Sequence, residues 1–148
     1  MNSDTKAKLD DFEQLLIDTV LYRGQAKITQ SHWMKMYTIS TSSTSFEEQE
    51  LLANYVVERL NDFMNMWSKR LDDVQPNTLH LAEEFSLFWE SIQLYLFAKK
   101  NLFQDFFGSY NQERIIRMAF KNLGVRFFSK HIPRITKTII YFLNEDRN

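Results

Sequence analysis

Cysteine is absent from the 148 residues, which removes disulfides, thiolate metal sites and cysteine nucleophiles at once and suits a reducing compartment. The 3 Gly and 2 Pro are too few turn residues for a many-stranded protein. No stretch reaches the roughly 18 apolar residues of a membrane span, and the N-terminus MNSDTKAKLDDFEQ has no apolar signal region. The expected setting is therefore cytoplasmic or nuclear, with no membrane partner. Charge of one sign is also missing: 18 Lys and Arg stand against 19 Asp and Glu, so no overall field draws in nucleic acid. What is abundant is aromatic, 13 Phe, 6 Tyr and 3 Trp, enough to fill the core of one all-α domain.

The apolar spacing predicts helices in succession. Leu9, Phe12, Leu15, Leu16 and Val20 recur at helical intervals from about residue 5 to Tyr22, with Gly24 as a C-terminal stop. Thr29 or Ser31 can cap a second helix that fades in the serine- and threonine-rich stretch ending at Ser45. Ser45 and Glu48 form a capping box for a third helix, whose stripe runs from Leu52 to Leu71, with Arg59 and Arg70 among its solvated positions. Asn77 is the expected cap of the fourth helix. That helix is apolar nearly all round through Leu94, Tyr95 and Phe97, as a central one would be. A fifth begins at Glu113 and ends or bends at Pro133. RITKTIIYFLNEDR follows as an amphipathic piece with Ile135, Thr138, Ile139 and Phe142 on one face.

Chemical motifs are scarce. His32, His80 and His131 lie far apart and read as surface or capped histidines, and the three glycines form no phosphate loop. The paired carboxylates, Asp10 with Asp11 and Glu83 with Glu84 among them, read as solvated helix faces. Lys99 with Lys100 and Arg114 with Arg117 could touch an acidic partner. No catalytic residue, metal ligand or cofactor site is expected, and the chain is not expected to be an enzyme.

The informative stretch is SHWMKMYTIST, Ser31–Thr41. At 100° per residue, Ile39, Met36, Trp33, Tyr37 and Met34 cover about 220°, against a roughly 100° stripe for an ordinary surface helix. Either this helix is buried on nearly all sides, or part of the arc is left for a partner.

In order and spacing these pieces resemble the N-terminal end of the cullins, the elongated scaffolds of multisubunit RING-type ubiquitin ligases. SHWMKMYTI is similar to the family's aromatic-x-x-hydrophobic-Tyr/Phe pattern, and ANYVVERLNDFMNMW to its amphipathic third helix. Trp89 falls where cullins carry a Trp in the long fourth helix. NLFQDFFGSY resembles the end of that helix, departing from it at Asp105 and Phe107. NLGVRFF, from Asn122, resembles the L-G-L-x-x-F stretch, and the closing FLNEDRN resembles the hydrophobic-x-x-E-R-x-G signature with Asp146 for Glu.

The resemblance implies a five-helix bundle of the cullin-repeat type over 1–133, with 134–148 opening a second repeat and the remaining scaffold missing. Helices 2 and 5 would lie side by side and dock a BTB/POZ-fold adaptor: an F-box adaptor subunit, an elongin C-like protein or a BTB protein. The implied contacts are Met34, Tyr37, Thr38 and Thr41 on helix 2, and Phe120, Lys121 and Val125 on helix 5, with Trp33 and Met36 turned inward. Lys121 stands where many cullins carry an aromatic, and an ammonium there prefers a carboxylate or carbonyl opposite it. The RING subunit would not be bound, so such a module could act as a competitive regulator. The apolar face of 134–148, left without a second repeat, would favour self-association. The alternative is an unrelated stand-alone helical protein that presents a hydrophobic groove to a partner helix.

Overall fold

The structure is a computed structural model that describes the backbone of residues 1–21, 28–42, 45–103 and 109–147, and within it the side chains other than those of 101–103, 109–112, 126 and 147. Gly24 and the side chains of NLFQDFFGSY lie outside that description. The described residues are all-helical, with no strand among them: α1 (Ser3–Leu21), α2 (Gln30–Ser42), α3 (Phe46–Asp72), α4 (Leu79–Phe103), α5 (Ser109–Asn122), a π-helical segment (Leu123–Phe128) and α6 (Ser129–Arg147).

Side-chain capping fixes where several helices start. Thr29 Oγ1 accepts from the His32 N–H at 3.4 Å while His32 Nδ1 accepts from the Thr29 N–H at 3.0 Å. This is a capping box in which an imidazole replaces the usual carboxylate. Ser45 Oγ accepts from the Glu48 N–H at 3.1 Å at the start of α3. The predicted cap of α4 is corrected. Thr78 rather than Asn77 occupies that position, its Oγ1 accepting from the Leu81 N–H at 3.3 Å. Asn77 instead adopts a left-handed φ of 59°, which asparagine tolerates better than most residues, and its N–H donates to Thr138 Oγ1 at 3.0 Å.

The chain divides into two compact units. Unit one comprises 1–59 and 91–115. Its buried apolar residues include Leu9, Phe12 and Leu16 of α1, Met36 and Ile39 of α2, Leu52 and Val56 of α3, and Ile92 and Tyr95 of α4. Phe12 meets Trp33 edge-on, with ring centroids 5.6 Å apart. Unit two comprises 60–90 and 116–148. Its core gathers Phe63, Trp67 and Leu71 of α3, Leu81 and Phe88 of α4, Phe127 of the π segment and Ile135 of α6. Phe88 stacks on Phe127 at 3.8 Å between centroids and meets Trp67 edge-on at 5.7 Å.

Two further expectations are corrected. α4 is not buried all round: Tyr95 is fully buried, but Leu94 and Phe97 are exposed. Residues 94 and 97 lie three apart and so share a side. Pro133 does not end a helix, because α6 runs through it. The irregularity comes earlier, in the π segment. There the Ser129 hydroxyl donates to the Gly124 carbonyl at 2.9 Å, and the proline's missing donor falls near the start of α6, where it removes a single intrahelical bond.

Candidate functional site

The ambiguity of α2 resolves into two faces. Met36 and Ile39 are buried and Trp33 is half-buried against Phe12, whereas Met34, Tyr37, Thr38 and Thr41 are exposed. The spacing of these four, i, i+3, i+4 and i+7, puts them on one side of the helix. Met34 and Tyr37 are 53% and 52% exposed.

At the serine- and threonine-rich end of α2 the hydroxyls turn back on the helix backbone. Thr38 Oγ1 donates to the Met34 carbonyl at 2.9 Å, Ser40 Oγ to Met36 at 2.8 Å, Thr41 Oγ1 to Tyr37 at 3.0 Å and Ser42 Oγ to Ile39 at 3.0 Å. Such bonds satisfy the hydroxyls within the helix, at a slight cost to its stability. They also define what the face offers chemically. With its hydrogen committed, each threonine presents a methyl group and an acceptor lone pair.

The second set of implied contacts belongs to unit two and is described by itself. Phe120 and Val125 are 68% and 65% exposed, and Lys121 is exposed beside them. Leu123 and Asn122 between them are buried, Asn122 donating through Nδ2 to Asn61 Oδ1. Phe120 thus stands out from a helix whose next turn is anchored.

The clusters that sequence reasoning missed are polar and buried. In unit one, Glu13 is buried, with the Tyr95 hydroxyl donating to Oε1 and the Lys99 ammonium to Oε2. The Tyr55 hydroxyl donates to Asp10 Oδ1 at 2.6 Å, and the Arg59 guanidinium lies over the Tyr55 ring, 5.2 Å from its centroid. Two carboxylates, two cations and two phenols therefore balance within one unit. Burial, then the neighbouring carboxylates, raises both phenols well above the ordinary value of 10.0. Burial lowers Lys99 below its ordinary value, against the pull of Glu13. Lys99 is consequently not a surface cation, Asp10 and Arg59 are not freely solvated, and both oxygens of Glu13 are already occupied. The cluster is built to hold helices together.

In unit two, Glu84 is buried and takes both the Nε and NH2 groups of Arg70, which also lies over the Trp67 ring at 4.8 Å. His131 is not a surface residue. It is 1% exposed, with Nε2 at 2.9 Å from Ser68 Oγ and no hydrogen-bond partner at Nδ1. Burial is the main cause of its lowered pKa. Ser68 also lines a narrow crevice with Asn61, Met64, Asn65, Asn122 and Phe127. A sequence signal for these clusters existed only in part. Glu13 sits between Phe12 and Leu16 on the apolar side of α1, and Tyr95 and Lys99 follow one another at i, i+4 on α4.

Among the described residues, no three His, Asp or Glu side chains come together as a metal site, and no helix is long and apolar enough to cross a membrane. No family model, no characterised protein and no solved structure matches the chain.

Proposed function

We propose that this chain is a non-catalytic docking module that binds a protein partner through the exposed side of α2. The observation that carries the reading is the division of α2 itself. Its inward side is spent on Met36 and Ile39, yet Met34 and Tyr37 remain exposed one turn apart, and Tyr and Met are enriched at the centres of interfaces. The resemblance of SHWMKMYTI and NLGVRFF to cullin segments supports a finer version. In it the module is of the cullin-repeat type and the partner is a BTB/POZ-fold adaptor, reached on unit one by Met34, Tyr37, Thr38 and Thr41; Phe120, Lys121 and Val125 of unit two are the further contacts that the resemblance implies.

Calorimetric titration of the chain with representative BTB/POZ adaptors tests both levels. Tyr37→Ala is expected to cost on the order of 1–3 kcal/mol of binding if Tyr37 is a hot spot. Failure of every adaptor to bind would remove the cullin-type reading. Binding unchanged by both Tyr37→Ala and Met34→Ala would remove the α2 face. The alternative of a groove for a partner helix draws on a separate observation, the exposed Leu94 and Phe97 of α4.

A further inference from the structure

With no cysteine in the chain, all of its sulfur chemistry rests on 6 methionines. Which of them an oxidant reaches first is decided by exposure. Met36 and Met64 lie in the cores, 2% and 4% exposed, and Met66 is half-buried. Met34 is the most exposed of the six at 53%, followed by Met1 at the start of the chain and Met118 in unit two. Two residues apart on α2, Met34 and Met36 are thus the same chemical group in opposite surroundings. Met34 alone among the methionines shares its helix side with the exposed Tyr37.

We propose that Met34 is a site of reversible oxidation by hydrogen peroxide and that its oxidation closes the α2 docking face; the second half rests on the docking function proposed above. Peroxide transfers one oxygen to the Met34 sulfur and leaves as water, the sulfur losing two electrons and the peroxide gaining two. A methionine sulfoxide reductase with a dithiol reverses the step, releasing that oxygen as water while the dithiol becomes a disulfide. The modification replaces a flexible apolar contact by a polar, chiral one. The hydroxyls beside it are already committed, since Thr38 and Thr41 donate to the carbonyls of Met34 and Tyr37 at 2.9 and 3.0 Å. The sulfoxide oxygen therefore draws on water. Covering it with an apolar partner surface leaves a buried acceptor unsatisfied, which lowers affinity on the order of tenfold. The fold itself is spared, because Met36 and Ile39 hold the opposite side of α2.

Lys35 makes the proposal measurable, because trypsin cleaves there and leaves Met34 in peptide 28–35 and Met36 in peptide 36–59. The full chain, treated with dilute hydrogen peroxide and sampled over time, should gain an oxygen at Met34 on the order of ten times faster than at Met36 or Met64. Fragment ions distinguish Met34 from Trp33 within the first peptide. Circular dichroism should stay unchanged, and sulfoxide reductase with dithiothreitol should remove the oxygen. Calorimetry with BTB/POZ adaptors then compares the reduced, oxidised and repaired chains, with affinity expected to fall on oxidation and return on repair. Met34→Leu should bind with an affinity that peroxide no longer changes. Equal rates at Met34 and Met36 overturn the proposal, as does an adaptor that binds the oxidised and reduced chains alike. A peroxide effect that persists in Met34→Leu assigns the sensitivity to another methionine and also overturns it. Failure of the adaptors to bind either form removes the docking reading and the regulatory half with it, whereas the peptide map still decides the oxidation site.

Discussion

The Lys99 ammonium and the Glu13 carboxylate form a buried ion pair between α4 and α1, separated by 86 residues of sequence. A pair removed from water contributes little net stability, but breaking it leaves an uncompensated buried charge. Glu13→Ala should therefore destabilise the protein by about 3–5 kcal/mol. The double variant Glu13→Leu with Lys99→Met removes both charges and should recover part of that loss, the buried Tyr95 hydroxyl losing its Glu13 acceptor. Urea unfolding of Glu13→Leu, Lys99→Met and the double variant decides the matter. Near-additive losses would mean that the two groups do not act on one another.

The phenols of the same cluster predict an alkaline weakness. Tyr55 and Tyr95 have folded pKa values raised above the ordinary 10.0, chiefly by burial and then by Asp10 and Glu13. A group whose pKa is raised on folding contributes stability that is full below its unfolded pKa and is lost as pH rises above it. Stability should accordingly fall above about pH 10. Tyr55→Phe should flatten that fall while leaving Asp10 without its donor, so the variant starts lower at neutral pH and declines less steeply. Urea midpoints at a series of pH values between 8 and 11.5 provide the measurement.

Backbone conformation gives a pair of opposite expectations. Asn77, at a φ of 59°, occupies a region where most side chains cost roughly 1–2 kcal/mol. Asn77→Ala should destabilise by about that amount and Asn77→Gly should be nearly neutral. Gly124 lies in the π segment, and a Cβ added there would meet nothing within 4 Å. Gly124→Ala should therefore stabilise the protein by about 0.5–1 kcal/mol, through the lower entropy of its unfolded chain. Thermal or urea unfolding of the three variants reads both signs. A destabilised Gly124→Ala would show that the π segment depends on glycine's freedom.

Helix order was legible because it rests on periodicity. The stripe from Leu52 to Leu71 and the box from Ser45 to Glu48 are signals carried within a few residues, and they place α3 to within a residue or two. The buried ionisable residues were not legible, because a carboxylate such as Glu13 or Glu84 reads as solvated until a helix distant in sequence brings Lys99 or Arg70 against it. The end of α2 was legible only approximately. Composition shows the helix fading toward Ser45 without saying where it stops, and α2 runs to Ser42 with the hydroxyls of Thr38, Ser40 and Thr41 bonded to carbonyls four residues back. On the candidate docking face, the split between Met36 and Met34 was legible as an excess apolar arc. Which edge of that arc is buried depends on α1, where Phe12 meets Trp33.

His131 supplies a pH dependence of opposite sign to that of the tyrosines. In its neutral form the ring needs one donor bond, which Nε2 can make to Ser68 Oγ at 2.9 Å, leaving Nδ1 as an acceptor without a partner. Protonation turns Nδ1 into a buried N–H donor with nothing to receive it, a costlier arrangement. Lys130 and Arg134 oppose the added charge and Asp72 favours it, while burial is the largest influence and lowers the pKa from 6.5. The unfolded chain then binds a proton more readily than the folded one, so stability is retained above about pH 6.5 and lost on acidification. His131→Gln should remove this acid-side slope while keeping a donor for Ser68. Urea midpoints at pH 7.5 and 5.0 should therefore differ less in the variant than in the parent chain, and an unchanged difference would locate the acid sensitivity elsewhere.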